Sequence, residues 1–156
     1  MTIKTLVCTC ALAVLATACG PSFVTSNPPG FVELENDYDA YDYRATTAEG
    51  VVLAVRELDN AEDADVSFWL TAIKNKMKER GGYAFISEAE VKSADGVSGT
   101  QLRYGRDDKS NNPHLYYLTV FVTDAKIWLL EAGGTKKLVE AQAAQIDQHV
   151  AQFRTQ

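Results

Sequence analysis

"HLYYLTVFVTDAKIWLLEAGGTKK", His114 to Lys137, decides the fold. Its first ten residues alternate with a period of two. Leu115, Tyr117, Thr119 and Phe121 fall on one side, Tyr116, Leu118, Val120 and Val122 on the other. A strand with one wet face carries polar residues at every second position, and neither side does so here. The pattern predicts an interior strand covered on both faces. Asp124-Ala125-Lys126 then turns the chain into a second apolar run, Ile127 to Ala132. Gly133-Gly134 reads as the break before a last helix, with Thr135 as its cap. Beyond it Val139, Ala143, Ile146, Val150 and Phe153 recur at steps of four and three, one apolar stripe of a helix.

Working outward, "YAFISEAEVKSADGVSGTQLRYGRDD" holds an Asp95-Gly96 turn between two extended arms, a strong hairpin signal. Before it, Val66, Trp69, Leu70, Ile73 and Met77 lie on one face of a second helix. Acids crowd the start of that helix, Lys74, Lys76, Lys78 and Arg80 its end, and Gly81-Gly82 stop it; this polarity suits the helix dipole. "VVLAVREL" (Val51 to Leu58) reads as a buried strand, paired across a turn at Glu49-Gly50 with the segment of Tyr41 and Tyr43. "FVEL" at Phe31 is one more short strand. Two amphipathic helices each need a sheet face to cover. The expected fold is therefore α+β: one antiparallel sheet of about six strands with two helices packed on it. Trp69, Leu70 and Ile73 of the first helix and Ile146, Val150 and Phe153 of the last should be buried against the sheet.

The element order, the "FW" helix ending in "RGGY", the strand pair around "SADGVSG" and the "VFVTDAKIWLLEAGG" run before a helix resemble the PsbP-like and DcrB-like superfamily, over roughly Phe31 to Phe153. That resemblance implies a binding, assembly or adaptor module rather than an enzyme, in a group several of whose members are exported lipoproteins. It brings no catalytic motif, and no catalytic or cofactor-binding residue is expected.

The N-terminus has its own logic. Lys4 precedes an apolar run from Leu6 to Ala16. At about 1.5 Å per residue this run spans roughly 16 Å, too short for a hydrocarbon core of about 30 Å. It reads as an export signal covering residues 1–18. Ala16 and Ala18 form an A-x-A site for an ordinary secretory peptidase. Followed by Cys19 they also resemble a bacterial lipobox, in which the thiol receives a diacylglycerol before cleavage, although Ala16 stands where a leucine is usual. Of three cysteines, Cys8 and Cys10 lie inside the signal, so Cys19 is the one thiol of the remaining chain. That leaves no disulfide, CxxC redox site or thiolate metal site. We expect Cys19 to be lipidated. Residues 19–30, rich in proline and small polar residues, then read as a tether of about 40 Å at full stretch. Residues 31–156 form the single domain. Gly20 after the cysteine favours the outer membrane by analogy with enterobacterial sorting, with the domain facing the periplasm.

The net charge is −6, and eleven acidic residues crowd Glu33 to Asp65 against Arg44 and Arg56. Such a balance argues against phosphate-backbone binding and for a solvated face; no nucleic-acid partner is expected. Asp37, Asp39 and Asp42 offer oxygen ligands, but the D-x-[DN]-x-[DN]-G pattern of a calcium loop is absent and no metal site is assigned. His114 and His149 read as surface or rim residues. Gly133 to Lys137 reads as a plain helix start rather than an anion site, and no G-x-S-x-G elbow exists. Tyr38, Tyr41, Tyr43, Tyr116, Tyr117 and Trp128 divide between core and partner groove, core taking the larger share. The expectation is a lipid-anchored, non-enzymatic binding or assembly module of the bacterial envelope, held to the membrane by acylated Cys19 and serving an envelope protein partner. The alternative is a small-ligand or metal-binding envelope lipoprotein.

Overall fold

The computed structural model describes residues 22–35, 40–79 and 82–156. In chain order its elements are β1 (Phe23–Val24), β2 (Val32–Glu33), β3 (Tyr43–Thr46), β4 (Val52–Asp59), α1 (Val66–Glu79), β5 (Ala84–Lys92), β6 (Ser98–Asp107), β7 (Pro113–Val122), β8 (Lys126–Thr135), α2 (Lys136–Ala141), α3 (Ala143–Gln152) and β9 (Arg154–Thr155). The apolar run on both sides of β7 has the expected consequence: β7 lies between β6 and β8, inside a seven-stranded sheet ordered β2-β3-β4-β8-β7-β6-β5. All neighbours pair antiparallel. The α+β class is as expected. The sheet is larger than the six strands anticipated, and a separate two-stranded ribbon joins β1 to β9.

The hairpin at Asp95-Gly96 forms as the sequence predicts. Ser93 and Val97 close it through an N–H to carbonyl bond of 3.0 Å, and Gly96 sits at φ +92, a conformation that costs glycine little. Further along the same hairpin, Gly99 has a packing role. A Cβ there would meet the Phe121 ring at 2.5 Å, so only a bare backbone lets that ring lie flat on β6.

The two helical units lie on opposite faces of the sheet. α1 is the crossover from β4 to the far edge strand β5. Its start is fixed by Asp65, whose carboxylate accepts the Phe68 N–H at 2.8 Å. Buried Asn60 adds a second tie, accepting the Trp69 indole N–H at 3.0 Å and donating to the Thr123 carbonyl at 2.8 Å. The apolar face of α1 rests on Leu118, Val120, Ile127 and Leu129, and on Leu102 and Tyr104. Trp69, Leu70 and Ile73 are half-buried rather than buried, and within α1 only Met77 is enclosed. A single helix laid across a broad sheet leaves its flanks in water, and Phe68 is 54% exposed.

The other face holds the main core: Leu53, Val55, Tyr117, Phe121, Trp128 and Leu130 from the sheet, against Val139, Ile146, Val150 and Phe153. Three expectations for this region need correction. Gly133-Gly134 does not break the chain, because both glycines pair within β8, opposite Tyr116 and Leu115. The last helix is two helices divided at Gln142, whose φ of −101 and ψ of 13 leave the helical range. That break turns Ala143 outward while Ile146, Val150 and Phe153 are buried as expected. The residues read as tether also pack from Ser22 on. Phe23 is buried, and Phe23 and Val24 pair with Thr155 and Arg154.

Phe153 is enclosed by three rings: Phe121 stacked at 5.5 Å, Phe23 at 5.6 Å and Trp128 edge-on at 6.3 Å. Phe153→Ala should lower the unfolding free energy by about 3–5 kcal/mol in urea denaturation, and Trp69→Ala, on the half-covered face, by less. The reverse order would place the principal core under α1.

Candidate functional site

α1 covers the middle of its sheet face and leaves the part formed by β3, β4 and the start of β7 open. Period-two alternation brings Arg44 from β3, Ala54 and Arg56 from β4, Glu131 and Gly133 from β8, and Tyr116 from β7 to this surface. Tyr41, Arg44, Ala54, Tyr116, Glu131 and Gly133 line a cleft of about 300 Å³, and Arg56 borders it through its contacts with Glu131 and Tyr41. A second depression of about 230 Å³, bounded by Tyr83, Arg106, Asp108 and His114, shares Tyr116, Gly133 and Gly134 with the first. The two form one groove across the open end of the sheet.

An ion pair organises its floor. The Arg56 guanidinium contacts the half-buried Glu131 carboxylate. Burial by itself would disfavour the Arg56 charge, yet Glu131 beside it raises the pKa above the usual arginine value. Burial, and then the same carboxylate, push the Tyr116 phenol well above its ordinary range. Both guanidiniums of this surface lie over the Tyr41 ring, Arg56 at 5.5 Å and Arg44 at 5.7 Å. Arg106 repeats the arrangement over Tyr83 at 5.4 Å, and Tyr83 packs against Tyr116 at 5.7 Å. The groove is thus a preorganised run of aromatic rings and guanidiniums. Guanidiniums laid over rings present planar cationic faces, a geometry suited to flat or anionic groups.

The residues anticipated from sequence scatter. Cys19, Tyr38, Asp37 and Asp39 lie outside the described residues. Asp42 accepts the Glu57 N–H at 2.7 Å, a structural bond. Tyr43, Tyr117 and Trp128 are core, whereas Tyr41 and Tyr116 are in the groove. Thr135 precedes α2 without a side-chain capping bond, and α2 spans six residues. Among the described residues no group of three or more His, Cys, Asp or Glu is placed to hold a metal. No described helix is long and apolar enough to cross a membrane.

The histidines part company. His114 is half-buried at the groove, its Nδ1 3.0 Å from the Asn112 carbonyl. His149 is a correction: it is 2% exposed, on the opposite face of the sheet, and not at the rim. It clasps the N-terminal segment. Its Nδ1 lies 3.3 Å from the Thr25 hydroxyl and 3.4 Å from the Ser26 carbonyl. A carbonyl only accepts, so the neutral ring carries its proton on Nδ1. The ring stacks on Tyr43 at 5.6 Å, and the Tyr43 hydroxyl donates to Asn27. Burial, with Glu33 adding to it, pushes the Tyr43 phenol up to about 12.

Arg44, Arg56, Arg106, Tyr83 and Glu131 escaped the sequence reading. One signal was available: Glu131 interrupts the apolar run "IWLLEA" of an interior strand, and a charge there needs a partner.

Comparison with protein-family models found no match, nor did a search of curated protein sequences. Solved structures do resemble the chain. The solution structure of cyanobacterial PsbP (CyanoP) from Synechocystis superposes with a TM-score of 0.61 at 14% identity, covering 86% of this chain and 87% of that one. The yeast Ran-binding protein Mog1p gives 0.56 at 13% identity, over 86% and 90%. A Pseudomonas aeruginosa protein of unknown function, PA94, gives 0.54 at 8% identity, over 76% of each chain. At these identities the likeness is one of fold, and the fold is PsbP-like.

Burial drives the His149 pKa down to about 4, although the Ser26 carbonyl works the other way. In the unfolded chain the ring titrates near 6.5, so between those values the unfolded state binds the extra proton. The stabilisation is complete above about pH 6.5 and is lost as pH falls to about 4, a change of up to about 3 kcal/mol. Urea titrations across pH 4–7 should show a steeper acid loss for the wild type than for His149→Gln. Equal slopes would mean that the ring is hydrated in the folded state.

Proposed function

We propose that this protein is a lipid-anchored, non-enzymatic binding or assembly module of the bacterial envelope, whose partner docks in the groove of Tyr41, Arg44, Arg56, Tyr116 and Arg106. The observation that carries the binding half is the groove itself. Its Arg56–Glu131 pair and stacked rings are held in place before any partner arrives, and Tyr and Arg are the residues that dominate protein interfaces. The neighbours in fold support it. One of them is described as Ran-binding, a name that speaks of binding rather than of a reaction. The anchoring half rests on the sequence: a signal core, small residues before Cys19, and no second thiol beyond it. Gly20 favours the outer membrane, with the domain on the periplasmic side.

A second reading, a small-ligand lipoprotein, is favoured by the size of the cleft, about 300 Å³, at the lower bound for ligand pockets.

Each half has its test. Cys19→Ser should abolish fatty-acid labelling in cells and release the domain from membranes with its melting temperature unchanged. A wild-type protein found soluble and unlabelled, with an unmodified N-terminal cysteine by mass spectrometry, returns the chain to plain secretion. For the groove, a photo-crosslinking side chain placed at Arg44 or Arg106 should trap one and the same protein in intact cells, while the same probe at Ala144, exposed on α3 on the opposite face, traps none. Adducts independent of position would remove the groove from the proposal.

A further inference from the structure

The segment composed like a tether is strapped to the domain along its whole described length. The Ser22 N–H donates to Glu57 at 2.7 Å, and the Ser22 carbonyl accepts the Gln156 N–H at 2.8 Å. Phe23 is stacked on Phe153. Thr25 and Ser26 meet His149, and the Ser26 hydroxyl also donates to Gln152 at 2.8 Å. Asn27 accepts from Tyr43, and Pro28 is buried. The freedom left between anchor and domain is the three residue steps from Cys19 to Ser22, at most about 11 Å.

The place where the strap leaves the domain is equally defined. Glu57, which holds Ser22, is near the end of β4 and pairs with Lys126 at the start of β8 at 2.8 Å. Thr155, beside Phe23 in the ribbon, donates its N–H to Asp95 in the β5–β6 turn at 3.2 Å. These groups mark one end of the sheet. The groove is built at the other, from the start of β7 (His114), the end of β8 (Gly133) and Gly50 just before β4. Strands of eight to ten residues separate the two ends by about 25–30 Å.

We infer that the lipid bilayer is the partner of the sheet end bearing Ser22, Val24, Leu58, Asp95 and Lys126, so that the domain stands upright on the membrane with its groove turned away. This rests on the anchoring of Cys19 proposed above. A swinging tether would present every face in turn; a strap of this kind presents one. Val24 and Leu58 are exposed apolar side chains at this end, 45% and 43% accessible. The strand ends and turns at this end carry Glu57, Asp59, Glu62, Asp63, Asp95 and Asp124 against Lys92, Lys126 and Arg154. That acidic excess gives the end no attraction of its own for anionic lipid, so the contact is imposed by the anchor.

The test couples the chain from Cys19 onward, which contains every described residue, through its single thiol to a maleimide lipid in phosphatidylcholine nanodiscs that also carry a gadolinium-chelate lipid. Amide signals of Val24, Leu58, Asp95, Asp124 to Lys126 and Thr155 should be lost, while those of Gly50, Asp108, His114 and Gly133 persist. A ten-residue Gly-Ser insertion between Pro21 and Ser22 should restore the lost signals. Uniform loss, or loss at the groove end, would overturn the orientation. Loss that survives the insertion would overturn the strap, since the domain would then be seeking the bilayer unaided. Because the coupling is chemical, the outcome does not depend on whether cells acylate Cys19, which fatty-acid labelling decides separately.

Discussion

The enclosure of Phe153 is the contact on which the rest of the structure depends. One ring, placed just after the last helix, touches Phe121 and Trp128 from neighbouring interior strands and Phe23 from the other end of the chain. Its carbonyl accepts the Ala94 N–H at 2.8 Å, which ties the β5–β6 turn to the same point. Remove that ring and α3 loses its floor and the terminal ribbon its backing.

The two faces of the sheet are stabilised differently, and this difference makes the groove. On the Phe153 face, α2, α3 and the N-terminal strap together close the surface. On the other, α1 runs alone from β4 to the far edge strand, and a helix about 10 Å wide cannot roof seven strands. Uncovered sheet must then be made tolerable to water, which Arg44, Arg56 and Arg106 achieve by laying guanidiniums across aromatic rings. The same arrangement that satisfies solvation leaves a surface equipped to bind.

Much of the fold was legible because its signals are local. Alternation on both sides from Leu115 to Val122 specifies an interior strand, and Asp95-Gly96 specifies a turn whatever surrounds it. What failed was decided by distant partners. Gly133-Gly134 reads as punctuation, yet the ladder to Tyr116 and Leu115 keeps it extended. Ser22 to Gly30 reads as flexible by composition, but the burial of Phe23 and a handful of hydrogen bonds overrule it. His149 stands three residues after Ile146, on the buried stripe itself, so its enclosure could have been read from spacing. The groove was the least visible. It depends on β4 lying beside β8, a pairing of segments far apart in the chain that sets Arg56 next to Glu131.

The terminal ribbon also governs when the fold can exist. Phe23 is among the first described residues that any chain delivered N-terminus first would expose, and its partners Phe153 and Thr155 are among the last. Contacts of such long sequence separation close late and at high entropic cost. Until the final residues arrive, the principal core lacks its central ring, and β1 has no strand to pair with. The principal core is therefore completed only when the segment around Phe23 and the segment around Phe153 are free to meet at the same time, so the fold is closed by its most widely separated contacts.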